Sequence, residues 1–411
     1  MGKEKSLATV PPKKVGKSWL SRAIAWIHLW PSLVSAIILI VVCITGTVVV
    51  YCDEIMEWSA GDARYVEQVG KERMPVELIM ERLKKEFPNY GNPSYMVAYK
   101  DPKRSVRFNM FSRKVGLRMV YVDPYTGEIL KNDATIYFFY ITAHLHASLL
   151  WGKTGMWIVD IATIIFLIEL ITGLVLWWPA KWTKATRDAS FKVKWKARFE
   201  RLNYDLHNVI GFYALSICLV LTLSGLIIAF KPLAQFTIQA AGGDASHHWE
   251  EQLPAADQGK VPAAINHTLD QFFAAYPEAK EAQVNTFKLD QNGWYGLRLA
   301  RAIGLKSADN AKAFFIDRYS GRSIEVPEAA MKHEQVENIY WSLHMGTWMG
   351  PIGKLCTFIG GLVSTSLPIT GFIIWWGRRK KGKKRKGSKE SLAEERSMGS
   401  YKPRHLVKAN S

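Results

Sequence analysis

The chain has 411 residues, 54 Lys+Arg against 36 Asp+Glu, and a formal net charge of +18. Four apolar stretches of about 20 residues are each long enough to cross a bilayer, which excludes an ordinary soluble enzyme. Its four cysteines, Cys43, Cys52, Cys218 and Cys356, lie in or beside those stretches without CxxC spacing, which excludes a disulfide framework and a thiolate zinc site.

In chain order, residues 1–25 are a basic N-terminus and 26–51 the first span. No small-residue cleavage site follows this span, since the chain runs on as Val50-Tyr51-Cys52-Asp53, so it reads as an uncleaved anchor. Residues 52–156 form a first polar segment. Val76–Phe87 has helical spacing, alternating runs follow at Val106–Phe111 and Arg118–Val122, and Asp123-Pro124-Tyr125-Thr126-Gly127 is a turn between strands. The second span is 157–178, a loop takes 179–208, and the third span is 209–230. The second polar segment, 231–355, repeats the plan, with a helix near Ala263–Tyr276 and a turn at Asp317–Gly321. The fourth span is 356–376 and a basic tail is 377–411. The expected fold is a four-helix transmembrane bundle carrying two small α+β units.

Half of the Lys and Arg residues fall in the 90 residues of the two termini and the middle loop; the other half are spread over the 230 residues of the two long segments. The positive-inside rule places both termini in the cytoplasm and the long segments outside. The run from Arg378 to Lys386 then reads as a topology signal that meets anionic lipid, not as a nucleic-acid contact.

The two halves repeat. His146, Gly152, Gly155, Thr172-Gly173 and Trp177-Trp178 recur 198 residues on as His344, Gly350, Gly353, Thr370-Gly371 and Trp375-Trp376. His28, Thr45-Gly46 and Tyr51 recur 179 residues on as His207, Ser224-Gly225 and Phe230. Tyr121-Val122-Asp123 through Gly127 resembles Phe315-Ile316-Asp317 through Gly321. Each half starts inside, so the halves are related by an axis along the membrane normal. Asp123 and Asp317 are expected to be turn formers.

This symmetry sorts the ten histidines. It brings His28 against His207 near the cytoplasmic surface and His146 against His344 near the outer one. Paired imidazoles on facing helices suit the two axial positions of a heme, whereas zinc or di-iron sites want three or more ligands, often carboxylates or cysteines. Two bis-histidine hemes b fit the residue count, and such centres suit electron transfer. His144, two residues from His146, is left open as a group behind the ligand or as the ligand itself; the repeat favours His146, because Ser342 stands at the position equivalent to His144. His247, His248, His267, His333 and His405 have no repeat partner and are expected at the surface.

Span 2 carries Asp160 and Glu169. Ionisable residues in a span mark function by default. Glu169, near mid-membrane, has two open readings: a proton or propionate partner, or a hydrogen bond to Ser364, Thr365 or Ser366 of span 4. Asp160 is expected nearer the outer surface and solvated.

The D-x-x-[TS]-G turn, then Leu145-His146 through Gly155 and Thr172 through Trp178, and again Leu343-His344 through Gly353 and Thr370 through Trp376, resemble the PepSY-associated transmembrane family. The resemblance covers about residues 17–378. It implies a bacterial inner-membrane protein of the ferric-siderophore reductase type, with heme in a four-helix bundle and two periplasmic PepSY-like units. By that resemblance the heme ligands are His146 and His344, and less tightly His28 and His207. The substrate would be a periplasmic ferric siderophore, reduced to release Fe(II). Pro351 stands where Lys153 does in the first half, so the outer surface is not symmetric.

No nucleotide or flavin fingerprint occurs, so electrons would come from a cytoplasmic donor or membrane quinol. Trp151, Lys153, Trp348 and Arg118 are candidate substrate contacts by position or charge. Two competing readings are a heme-free permease or accessory protein for a metal chelate, and a PepSY module that binds a peptidase. Heme content separates the first reading from both.

Overall fold

The computed structural model describes residues 18–399 except 247 and 258, with side chains described through residue 380. Residues 1–17, His247 and His405 lie outside the described residues, as do the side chains of the basic run beyond Lys380 and with them its expected lipid contact.

Among the described residues, four helical stretches are long and apolar enough to cross a membrane. They contain α1 (Trp19–Val49), α5 (Gly152–Trp177), α8 (Gly211–Ala229) and the first part of α12 (Gly350–Gly399). In the third, α7 (Phe199–Asp205) runs into α8 through a single π turn at Leu206–Ile210. The helices are longer than the apolar stretches of the sequence, because backbone hydrogen bonding continues into flanking polar residues where hydropathy falls away. Leu39, Ala162, Phe166, Leu170, Ala214 and Cys218 form the apolar centre of the bundle. Small residues let the helices approach: a methyl on Gly361 would sit 2.2 Å from Thr47 Oγ1, and one on Gly360 would sit 2.6 Å from Ile217 Cγ2.

The polar segments add α2 (Cys52–Ala60), α3 (Val76–Glu86), α4 (Thr135–Ser148), α6 (Lys184–Phe191), α9 (Lys231–Ala240), α10 (Ile265–Ala275) and α11 (Glu328–Met345). The first segment holds β1 (Tyr95–Tyr99), β2 (Val106–Ser112), β3 (Gly116–Val122) and β4 (Ile129–Asp133). The second holds β5 (Glu281–Asn285), β6 (Trp294–Ala300), β7 (Ala302–Ile303), β8 (Ala308–Asp309), β9 (Lys312–Asp317) and β10 (Ser323–Ile324).

The two expected α+β units are not independent sheets. All strands but β7 and β8 make one eight-stranded sheet in the order β10-β9-β6-β5-β1-β2-β3-β4. The junction is antiparallel pairing of β1 with β5, from Tyr95 opposite Asn285 to Tyr99 opposite Glu281. Each half alone would leave this strand as an open edge, and joining the edges satisfies both rows of backbone groups. One face packs on α3 and α10 through Ile79, Leu83, Leu269 and Phe273. The other rests on α2 and α4 through Met56, Met119, Tyr121, Ile136 and Phe139, with Met345 of α11 among them.

The aspartate turns fall where the sequence places them. Asp123 Oδ1 accepts from the amides of Tyr125 and Thr126, and Asp317 Oδ1 from those of Tyr319 and Ser320. Gly127 and Gly321 close the turns at φ near +70°.

Candidate functional site

The second glycines of the His-to-Gly motif shape the end of the bundle that meets the sheet. α4 and α11 end at Ser148 and Met345, and α5 and α12 start at Gly152 and Gly350, both with φ above +50°. A methyl on Gly155 would lie 1.8 Å from the Ser148 carbonyl oxygen, and one on Gly353 would lie 2.3 Å from that of Gly346. The turns are therefore tight against backbone, and each brings a histidine at the end of a surface helix onto a spanning helix.

These histidines are His146 and His344. Their ring centres are 6.0 Å apart. At the other end of the bundle the rings of His28 and His207 are 6.4 Å apart. His28 and Gly46, which touches His146, are 18 residues apart on α1, so the pairs lie about 27 Å apart along the helix.

Each ring is held the same way. His28 Nδ1 is 3.0 Å from Thr172 Oγ1, and His207 Nδ1 is 2.9 Å from Thr370 Oγ1. Both hydroxyls donate to a carbonyl one turn back, at Ile168 and Ser366, so they accept from the ring. His146 Nδ1 donates to the Val42 carbonyl at 2.8 Å. His344 Nδ1 donates to the Leu221 carbonyl at 3.1 Å, with Ser224 Oγ equally close. Nδ1 is the protonated nitrogen in all four, and Nε2 keeps its lone pair. Beside each of these contacts is a glycine whose missing side chain makes room for the ring: Gly173, Gly371, Gly46 and Gly225. The [Ser/Thr]-Gly dipeptides of the repeat are thus the seats of the histidines. The repeat pattern contains them, but nothing in the sequence says which side chain each one meets.

The spanning helices carry irregularities at the inner pair. Pro31 stands three residues after His28 inside α1, and His207 lies within the π turn. Such departures cluster at functional positions, because they re-aim a side chain without ending the helix.

Around His28 and His207 is a cavity of about 400 Å³, lined by all four spanning segments. Leu29, Phe166, Trp177, Phe212 and Trp375 make it chiefly apolar. Glu169 is also in its wall. The Glu169 carboxyl faces Ser35 of α1 rather than Ser364, Thr365 or Ser366, and its Oε1 has no partner among the described residues. Ser364 instead meets Cys218 Sγ at 3.2 Å. Of Glu169's two readings, the hydrogen bond to span 4 is the one the structure removes. Asp160 is corrected too: it is buried on α5, because that side of the helix turns into the bundle.

His144 stands apart from the facing rings of His146 and His344. His144 is exposed and its Nδ1 turns back to the Tyr140 carbonyl at 2.8 Å, since residues two apart on a helix point in different directions. His333 is corrected as well: it is buried on α11, and its Nδ1 bonds to the Asp244 carbonyl at 2.6 Å.

The four candidate substrate contacts are not gathered into one site. Trp151 and Lys153 are exposed at the turn into α5, and Trp348 is exposed at the equivalent turn. Arg118 lies on β3, and its Nη1 reaches the Leu117 carbonyl at 3.4 Å. No hydrogen bond or ring contact joins the four among the described residues. An ion cluster that the sequence did not signal closes the outer end: buried Lys354 meets Glu54 at 2.8 Å and Asp53 at 3.5 Å, and Asp53 accepts from the Leu305 amide.

Two imidazoles on opposite sides of one metal ion, each with a bond of about 2 Å and roughly another 1 Å to the ring centre, hold their centres about 6 Å apart. Both pairs match that spacing. Among the described residues no three His, Cys, Asp or Glu side chains gather at one point, so each pair offers two nitrogen donors. A hydrogen-bond acceptor on the far ring nitrogen is what metal-ligating histidines typically have. Two imidazole donors and the apolar cavity beside His28 and His207 fit a flat macrocycle such as heme, which these two residues would hold.

A family model for the PepSY-associated TM region matches residues 25–378. The chain belongs to that family. The match takes in both histidine pairs and the sheet, so this PepSY-associated membrane protein carries the family region along most of its described length. No curated protein matched it.

Proposed function

We propose that this protein is an inner-membrane oxidoreductase that carries electrons from the cytoplasm to a periplasmic ferric siderophore or similar chelate and releases Fe(II). The observation that carries it is the fourfold arrangement of imidazoles. Two facing pairs, one near each end of the bundle, have every Nδ1 committed and every Nε2 holding a lone pair.

His28 and His207 would hold one heme b, and His146 and His344 the other. Such a centre, when bound, exchanges one electron without opening a coordination position. The residues of this chain do the rest. Thr172, Thr370, Ser224 and the Val42 and Leu221 carbonyls fix each ring's orientation and tautomer. Phe166, Trp177, Phe212 and Trp375 keep water from the inner site and give it a low dielectric. One electron and one ferric ion give one Fe(II), with a cytoplasmic donor or membrane quinol as source. The distribution of basic residues supports both termini inside and the sheet in the periplasm.

The test mixes dithionite-reduced, desalted protein with a ferric chelate and an Fe(II)-trapping dye under argon. Reoxidation of the heme band with one Fe(II) trapped per electron is expected. Fe(II) yields equal to those of a His146→Ala/His344→Ala variant would overturn the reading. A heme-free wild type that still moves a metal chelate would favour a permease.

A further inference from the structure

The inner cavity has one acidic and one basic side chain in its lining besides the two histidines. Glu169 lies in its deep wall, and Arg378 lies 11 residues beyond Leu367, the repeat counterpart of Glu169, or about 16 Å further toward the cytoplasm along α12. Apart from the histidines, these are the ionisable acid and the cation among the described lining residues. The first half has Ala180 where the second has Arg378, so the cation is not a product of the repeat.

Its neighbours are differently employed. Arg379 sits over the Trp375 ring at 5.1 Å and Lys380 over the Trp376 ring at 5.7 Å. Those stacks suit cations at a membrane surface. Arg378 makes no ion pair or ring stack among the described residues, and it faces the cavity mouth instead. Three consecutive basic residues thus split into two that stack on tryptophans and one, exposed at the rim of the cavity, that stacks on none among the described residues.

Resting on the proposed function, we propose that Arg378 is the carboxylate anchor of the inner site. Its guanidinium pairs with a propionate of the bound macrocycle, and so fixes which edge faces the cytoplasm. A porphyrin with two propionates in an otherwise apolar slot needs its carboxylates at the end where water and a cation meet. Glu169 at the deep end disfavours the opposite orientation. A guanidinium also presents paired donors in the plane that a carboxylate accepts.

The experiment transfers heme from the purified full-length protein in detergent to excess apomyoglobin, followed optically, with the low-spin spectrum of each residual site recorded. Arg378→Gln is expected to lose one of its two hemes about tenfold faster than wild type, the other being unchanged, and Arg378→Lys to recover part of the difference. Arg379→Gln and Lys380→Gln are expected to match wild type and control for general loss of positive charge or folding. Equal rates for Arg378→Gln and wild type would overturn the anchor and leave the electron-transfer reading standing. Wild-type protein without heme would overturn that reading itself, and the anchor with it.

Discussion

A methyl on Gly46 would lie 2.7 Å from Cε1 of His146, on a ring whose Nδ1 is already bonded to the Val42 carbonyl. The ring has no low-cost way to retreat, so helix α1 is shaped around this one histidine. The same relation recurs with more room at Gly225 and His344 (3.1 Å), Gly173 and His28 (3.2 Å), and Gly371 and His207 (3.4 Å).

This series makes a graded prediction. Gly46→Ala is expected to cost most of the outer heme, Gly225→Ala and Gly173→Ala to broaden or shift the low-spin spectrum of their own site, and Gly371→Ala to leave heme content near wild type. Heme per chain by the pyridine hemochrome assay checks it. An order unrelated to the four clearances would mean that the glycines serve helix packing alone.

The hydroxyl contacts give a second prediction. Thr172→Val and Thr370→Val keep side-chain volume and remove the acceptor of the ring Nδ1–H. Loss of such an outer contact typically weakens metal binding about 10-fold or more. Each variant is expected to release the inner heme faster and to shift that site's midpoint potential, with the outer site unaffected. Spectroelectrochemical titration reads both sites at once.

His144 and His146 separate cleanly. His144→Ala is expected to keep both hemes and to reduce ferric chelates as wild type does, because its ring is exposed and turned to Tyr140. His146→Ala is expected to lose the outer heme. The reverse outcome would place the ligand on the wrong face of α4.

Asp133 links the sheet to the outer histidine. Its Oδ1 accepts from the Thr135 amide at the start of α4, and its Oδ2 from Ser59 Oγ. Burial opposes the charge, but the bonds from Thr135 and Ser59 and the nearby Lys131 outweigh it and hold the carboxyl below its usual range. A depressed carboxylate contributes stability that is present above about pH 4 and fades as pH falls through the folded-state value. Asp133→Asn, which removes the charge but keeps a carbonyl acceptor, is expected to destabilise the protein by about 1 kcal/mol at pH 7, the difference between a charge-assisted and a neutral hydrogen bond. The gap from wild type in unfolding midpoint should narrow below pH 4. A gap that does not change with pH would mean the charge plays no part.

The solvent-facing candidates predict a null result. Lys153→Ala and Trp348→Ala touch no other candidate, and both are expected to leave chelate turnover unchanged. A selective loss for one ferric chelate would make the turn regions part of its recognition surface.

Much of this protein was legible from its residues. Apolar length marks the spans, and basic density suggests their orientation. The 179- and 198-residue offsets pair His28 with His207 and His146 with His344, and the structure sets the rings of each pair facing. Asp123 and Asp317 read as turns because Gly127 and Gly321 follow at fixed spacing. Other features were not legible, for physical reasons. The β1–β5 junction depends on which edges meet in space. The buried state of Asp160 depends on helix rotation, which hydropathy does not encode. The role of Arg378 is hidden in a run of basic residues that composition reads as one surface. His333 has no repeat partner, and its burial comes from the Asp244 carbonyl, 89 positions away in sequence.

The central claim is that the two histidine pairs hold heme. The most direct test is a reduced-minus-oxidised absorption spectrum of the full-length protein, purified in detergent from cells supplied with heme, with heme counted per chain. The account predicts two low-spin b-type hemes per chain. His28→Ala/His207→Ala should lower that count to one, and His146→Ala/His344→Ala should do so independently. Protein that folds and carries no heme would contradict it.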